Sequence, residues 1–419
     1  MNRRHFLKAA GAAGITALAV PFGRSGWMLR AAETGHKRLV VIFLRGAVDG
    51  LSVVVPYGDD AYYDLRRSIA LKPPGRDNGV LDLDRHFGLH PALAPLMPYW
   101  QAGSMAFVQA CGSPDPTRSH FDAQLYMENG TPGRGATADG WLNRLLGALP
   151  GPHGAAQAVS FGPQMPRILT GPQPVANIAL GAAAEKPLAI DRPAVAQAFA
   201  QLYGGDDKMS RTYQQGVEAR RQMSADMMGG DDDHEQMVAN NGAPLPQGFP
   251  DDAARLARMM RQDPAIRVAF LALGGWDTHV DQGGAEGQLA NRLRPLGDGL
   301  SKLVTGLGPA FQDTLIIVMS EFGRTAHENG NGGTDHGHGN VMWLLGGGVV
   351  GGKVHGARPG LAPDRLYQQR DLAVTTDFRA VLGPAVTRHL GLPEGTAASL
   401  FPGALNLIQG GGAPVLIRA

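Results

Sequence analysis

Three runs of apolar residues with almost no interruption limit the folds open to this chain. They lie within residues 36–44 (HKRLVVIFL), 268–273 (VAFLAL) and 314–319 (TLIIVM). A strand with one wet face alternates apolar and polar residues, whereas a continuous, largely β-branched run marks a strand covered on both faces, as parallel strands are. Between Asp251 and Ser320 the pattern reads helix, strand, long helix, strand. Further strands are expected at 104–110 (SMAFVQA) and 341–345 (VMWLL), and a short helix near the prolines of 90–100. One helix should open near Ser119, and another should close the chain with Thr376 or Asp377 as N-cap. Strands alternating with helices predict an α/β fold, a three-layer sandwich with a mostly parallel central sheet and helices on both faces.

Two of these runs lead into polar clusters. The first, residues 274–279, reads GGWDTH, and the second, residues 320–325, reads SEFGRT. In open α/β sheets ligands gather beyond the carboxyl ends of the strands. Asp277 and His279 stand two apart, so extended backbone would turn both to one side. An oxygen and an imidazole nitrogen suit a shared cation, and an Asp–His hydrogen bond closing a turn fits the same residues. Glu321 serves as a metal ligand or general base, with Arg324 behind it to clamp an oxyanion, or the two form a pair that fixes the loop. Residues 333–340 (GTDHGHGN) place His336 and His338 among glycines, which let backbone approach a ligand closely; a loop of solvated histidines is the alternative. Arg118, Ser119 and His120 sit where a helix should begin. The free N–H groups there suit a phosphate or sulfate oxygen, and Ser119 is either a nucleophile or a plain N-cap. The alternative is that His120 and Asp122 face the site from that helix instead. Asp49, beyond the first strand, is a metal ligand or an Asx residue that stabilises a turn.

At 419 residues the chain can bury a large core, and its 59 glycines and 30 prolines call for many turns. Residues 1–32 carry five of the 38 basic residues and none of the 37 acids, which leaves the remainder near −4 and without a nucleic-acid footprint. Arg3 and Arg4, followed by Phe6-Leu7-Lys8 and an Ala/Gly-rich stretch to Val20, read as a twin-arginine signal. The stretch is well short of the roughly 20 residues that a membrane-spanning helix needs. A partnership with the twin-arginine translocase during export, and a place in the periplasm or outside the cell, are therefore expected, without a stable membrane span. Residues 33–419 form the expected single domain, with a loop-rich insertion around 204–252. The lone Cys111 rules out an intramolecular disulfide and reads as a small buried apolar group.

Taken jointly, Arg118 to Gln124, Gly274 to His279, Ser320 to Thr325 and Gly333 to Gly337 resemble the twin-arginine-exported bacterial family called domain of unknown function 1501, over nearly the whole mature chain. That family is grouped with the alkaline phosphatase and sulfatase superfamily. The resemblance implies an alkaline phosphatase-like sandwich and a metal-dependent hydrolase of phosphate or sulfate esters, acting on an anionic small molecule or glycan. Ser119 would be the nucleophile, and Arg118 or Arg324 would hold the oxyanion. A divalent ion (Zn, Ca, Mg or Mn), with one strong position at most, would draw on Asp49, Asp277, His279, Glu321, His336 and His338. The chain also departs from that pattern. Phe322 stands in place of a usual metal-binding His, and Arg45-Gly46 in place of a ligand Asp. The surroundings of Cys111 lack the sulfatase arrangement that yields formylglycine. The turn Thr334 to Gly337 mimics the superfamily's Ser-Asp-His-Gly turn, which is expected at Ser320 to Gly323 because an apolar strand precedes it. The other reading is a non-catalytic periplasmic protein that uses an inherited pocket to bind a ligand or partner.

Overall fold

The computed structural model describes residues 37–133, 137–151, 154–178, 197, 201–205, 210, 237–393, 395–409 and 414–418. The signal segment expected over 1–32, and most of the insertion expected at 204–252, lie outside the described residues. No helix among the described residues is long and apolar enough to cross a membrane.

The apolar runs become the centre of one large sheet. Its strands are β1 (Arg38–Leu44), β5 (Met105–Gly112), β6 (Ala158–Phe161), β7 (Ala176–Ile178), β8 (Val268–Leu273), β9 (Thr314–Ser320), β10 (Asn340–Gly346), β11 (Lys353–His355) and β12 (Thr376–Asp377). They lie in the order β11-β5-β10-β9-β1-β8-β6-β7, with β12 also on β5. A small antiparallel sheet of β2 (Val54–Val55), β3 (Leu81–Asp82) and β4 (Gly88–Leu89) stands apart from it. In the large sheet β1 pairs in parallel with both β8 and β9, and β6 in parallel with β7 and β8. The strand β10 runs against both of its neighbours, β9 and β5. The fold is therefore the mixed, mostly parallel α/β sandwich that the sequence predicts.

The sheet is covered on both sides, which explains the uninterrupted apolar runs. Along β1, Val40, Ile42 and Leu44 join one core with Leu256 and Met260 of α3 (Phe249–Gln262) and Leu293, Leu296 and Leu300 of α4 (Gln288–Leu307). The alternate residues Leu39, Val41 and Phe43 join a second core with Trp141 and Leu145 of α2 (Trp141–Ala148) and Phe378, Val381 and Leu382 of α5 (Phe378–Leu390). All six β1 residues are fully buried, each contributing roughly 1.5–3 kcal/mol of hydrophobic stabilisation. A side chain at Gly299 would place its Cβ 2.2 Å from the Phe249 ring, so glycine lets α4 lie close against α3. Asp377 caps α5 by accepting the Arg379 N–H at 2.9 Å.

Strand direction decides what meets at one edge. The carboxyl ends of β1, β8 and β9 are level, with Leu44 opposite both Leu273 and Ser320. Because β10 is reversed, its first residue, Asn340, stands beside Cys111 near the end of β5. The loop before β10 thus arrives at the same edge as the loops after β1, β5, β8 and β9. The last of the expected linker also reaches this edge: Asn240 Oδ1 accepts the Gly275 N–H at 2.6 Å, and Pro244 O accepts that of Gly274 at 2.7 Å.

Candidate metal centre

Three parts of the fold deliver four side chains to the edge. Asp277 and His279 follow β8, His336 precedes β10, and His120 is the first residue of α1 (His120–Asn129), which follows β5. Backbone turns make the approach possible. Gly46 has φ +106°, and a Cβ there would lie 2.8 Å from the Asp277 nitrogen, so only glycine lets the β1 loop pass beneath Asp277. Trp276 is fully buried and donates its indole N–H to Leu273 O at 2.9 Å, which anchors the turn carrying Asp277.

The three imidazoles point their Nε2 atoms toward one another and toward Asp277. His336 Nε2 is 3.0 Å from His120 Nε2 and 3.0 Å from His279 Nε2. Asp277 Oδ1 lies 3.0 Å from His279 Nε2 and 3.2 Å from His336 Nε2, while Oδ2 lies 3.4 Å from His120 Nε2. The opposite ring nitrogens are all engaged by acceptors: His120 Nδ1 by Glu321 Oε1 at 2.8 Å, His279 Nδ1 by Asp335 Oδ1 at 3.0 Å, and His336 Nδ1 by the Arg118 carbonyl at 2.9 Å. A carboxylate or carbonyl can only accept, so each neutral ring carries its proton on Nδ1 and turns a lone pair inward from Nε2. Three lone pairs and a carboxylate facing one point repel each other unless protons or a cation lie between them. His120, Asp277 and His336 form a group able to hold a metal ion, and the outer carboxylates on His120 and His279 are the kind that orient metal-binding imidazoles.

The surroundings hold this charge pattern in place. Burial works against a charged His120, but hydrogen bonds and charge from Asp277 and Glu321 push it up to about 9. Burial also opposes ionisation of Asp277, yet His120, His336 and Arg324 hold it well below the usual carboxylate range. Glu321 is fully buried and stays below its ordinary value, since His120 and nearby backbone N–H groups outweigh the burial. Its Oε1 accepts from Gly46 N at 2.8 Å and Gln124 Nε2 at 3.1 Å, and its Oε2 from Ser320 Oγ at 2.9 Å.

The remaining candidates are placed as follows. Arg324 is buried, donating to Asp277 Oδ1 at 2.6 Å and to the Thr334 carbonyl. Arg118 donates to Asp371 Oδ2 at 2.6 Å and Gln368 Oε1 at 2.9 Å, with its side chain 31% exposed. Ser119 is the N-cap of α1, its Oγ accepting the Asp122 N–H at 3.4 Å. Glu321 stands one step out, behind His120. The structure does not bring Asp49 to the group. Asp49 is fully buried in a two-point pair with Arg66 and accepts from Ser52 Oγ and Gln282 Nε2, each at 2.7 Å. His338 also stays outside, stacked on Tyr367 with ring centres 4.6 Å apart. Phe322 packs its ring against His120 and His336, at 5.0 and 5.2 Å, as an apolar floor beneath the imidazoles. Arg45 pairs with Glu128 of α1 at 2.6 Å and so ties the end of β1 to the helix that carries His120. The turn at Thr334 to Gly337, rather than that at Ser320 to Gly323, supplies the late histidine and Asp335 behind His279.

The joint presence of these strand-end motifs is matched by one family description, Protein of unknown function (DUF1501), over residues 36–399. The chain belongs to this DUF1501 family. No curated protein matches it significantly. Solved structures similar to this DUF1501 chain include Ps i-CgsB in complex with k-i-k-neocarrahexaose, with 11% identity, TM-score 0.37, and 85% of this chain and 72% of that one covered. The C-terminal periplasmic domain of EcEptC from Escherichia coli, in complex with Zn, shares 9% identity at TM-score 0.36, covering 74% and 73%. The PsFucS1 sulfatase from Pseudoalteromonas sp. shares 14% identity at TM-score 0.36, covering 88% and 73%.

Proposed function

We propose that this DUF1501 protein is an exported, metal-dependent hydrolase of phosphate or sulfate esters on an anionic small molecule or glycan, working in the periplasm or outside the cell after passage through the twin-arginine translocase. The observation that carries the reading is the convergence of three Nε2 atoms on Asp277, with every Nδ1 held by an acceptor. Imidazole with a single carboxylate suits zinc or a similar borderline ion, whereas calcium and magnesium take oxygen ligands. His120, Asp277 and His336 would hold the ion, and His279, whose side chain is 40% exposed, stands at the rim as a further ligand or proton carrier. Bound there, the ion supplies Lewis-acid polarisation of the ester. Ser119 opens α1, where free helix N–H groups favour an anionic oxygen, and its Oγ is the nucleophile. Arg118 suits the oxyanion better than Arg324, because Arg324 is buried in holding Asp277.

A second reading, a ligand-binding protein without catalysis, is favoured by one set of observations. Both arginines are already paired, the Ser119 oxygen caps its own helix, and Phe322 fills a place where a ligand is expected. Assays with 4-nitrophenyl phosphate and 4-nitrophenyl sulfate separate the two. The hydrolase reading predicts turnover of one of them that chelation abolishes, zinc restores and Ser119→Ala removes. Fully metal-loaded protein that is inert on both esters would leave the binding reading. Cell fractionation tests export: Arg3→Lys with Arg4→Lys should retain the protein in the cytoplasm.

A further inference from the structure

Beside the candidate metal centre lies a second concavity that the hydrolase reading does not use. It opens to solvent at the same edge of the sheet, beyond β6 and β8. Its apolar lining includes Phe161, Met165, Phe270 and Pro244. Arg45, Ser160 and Arg167 also line it, and each has a buried polar atom without a hydrogen-bond partner among the described residues: Arg45 Nε, Ser160 Oγ and Arg167 Nε. Arg45 and Ser160 are 3% and 1% exposed. Buried donors left unmatched are costly, so three around one cleft call for an acceptor.

The chemistry of that acceptor follows from the lining. An arginine Nε–H only donates, so the ligand must present oxygen lone pairs. Glu128 takes Arg45 Nη2 on Oε1 and the Ile168 N–H on Oε2, so its carboxylate is spent. Arg45 and Arg167 are the two charged residues of the lining, and both are cations. Apolar walls with a few convergent donors suit a ring that has both apolar faces and hydroxyl groups. We propose that this cleft is a recognition site for a carboxylate-bearing saccharide ring, with the carboxylate at Arg45 and Arg167 and a ring hydroxyl at Ser160. The cleft communicates with the metal group through a short chain of hydrogen bonds: Arg45 Nη1 to Gln124 Oε1 at 2.7 Å, Gln124 Nε2 to Glu321 Oε1 at 3.1 Å, and Glu321 Oε1 to His120 Nδ1 at 2.8 Å. The inference stands for a hydrolase and for a binding protein alike, because it concerns binding alone.

Titration calorimetry of the full purified chain with glucuronate, glucose, acetate and sodium sulfate tests it, with metal content measured in the same samples. Glucuronate should bind. Arg167→Ala and Ser160→Ala should each weaken it on the order of 10-fold, the loss of one hydrogen bond to a buried or charged group, with metal content and circular dichroism unchanged. Arg167 is partly exposed and Ser160→Ala removes only a hydroxyl, so both variants should fold. Three results would overturn the proposal: no glucuronate binding, binding untouched by both variants, or equal binding of acetate or sulfate alone, which would make the site a bare anion trap. None of these depends on ester turnover, so a failure here is separate from a failure of the hydrolase reading.

Discussion

Replacing Glu321 by glutamine separates the charge behind His120 from the shape of the site. The amide oxygen can take the place of Oε1 and keep the bonds from Gly46, Gln124 and His120, at 2.8, 3.1 and 2.8 Å. The NH2 group then meets Ser320 Oγ, whose single proton, shared in the wild type between Glu321 Oε2 at 2.9 Å and the Leu44 carbonyl at 2.6 Å, passes to the carbonyl. Packing and hydrogen bonds survive, while the negative charge that makes His120 a stronger donor is lost. Removing an outer carboxylate of this kind costs about 10- to 100-fold in metal affinity, or roughly 1.4–2.8 kcal/mol. Zinc affinity of Glu321→Gln, read by competition with a chromophoric chelator, should fall within that range, while urea unfolding of the metal-free protein moves little. Unchanged affinity would refute the role given to Glu321. A loss of affinity matched by an equal loss of metal-free stability would show that the residue acts only through the fold.

Asp49→Ala leaves Arg66 buried without its partner, so it should destabilise the protein by about 3–5 kcal/mol with metal content per folded chain unchanged. Metal loss without a drop in unfolding midpoint would reverse that assignment. His120 is held charged in the free protein up to about 9 and must be neutral to bind a metal, so zinc uptake at pH 7.5 should release roughly one proton from it, and affinity should fall as pH drops below that value. Calorimetry in buffers of different ionisation enthalpy reads the proton count, and no release would contradict the raised His120. His389 is buried, with Nε2 donating to the Arg38 carbonyl at 2.9 Å, and burial lowers it to about 4. It is neutral when folded and titrates near 6.5 when unfolded, so its contribution is complete above pH 6.5 and lost as pH falls toward 4, up to about 3 kcal/mol. Urea unfolding of wild type should show this slope between pH 6.5 and 5, and His389→Gln should flatten it; equal slopes would contradict the reading.

The strands were legible because a run such as 39–44 has no polar face to hide, and that alone requires cover on both sides of the sheet. The reversal of β10 was not legible. A buried antiparallel strand carries the same apolar run as a parallel one, and only the pairing with β5 and β9 sets its direction. That reversal brings His336 to the site, so proximity to an apolar strand in sequence pointed to the Ser320 turn when the Thr334 turn supplies the histidine. Asp277 and His279 stood out by their spacing beyond a strand. His120 carried only a weak signal, one residue after a serine that any helix would use as a cap. Asp49 and His338 looked like ligands by residue type. What separates them is the burial of Arg66 against one and the Tyr367 ring against the other, contacts between distant parts of the chain. The roles of Gln124 and Glu128 in linking α1 to the strand ends had no local signature in sequence.

The central claim is that His120, Asp277 and His336 hold a metal ion, and elemental analysis of the untagged, purified protein tests it most directly. Wild type and His338→Ala should each carry roughly one zinc-class ion per chain, and Asp277→Ala and His336→Ala should carry almost none while remaining folded. A wild-type protein that stays metal-free after exposure to zinc, or variants at Asp277 and His336 that retain a full complement, would contradict it.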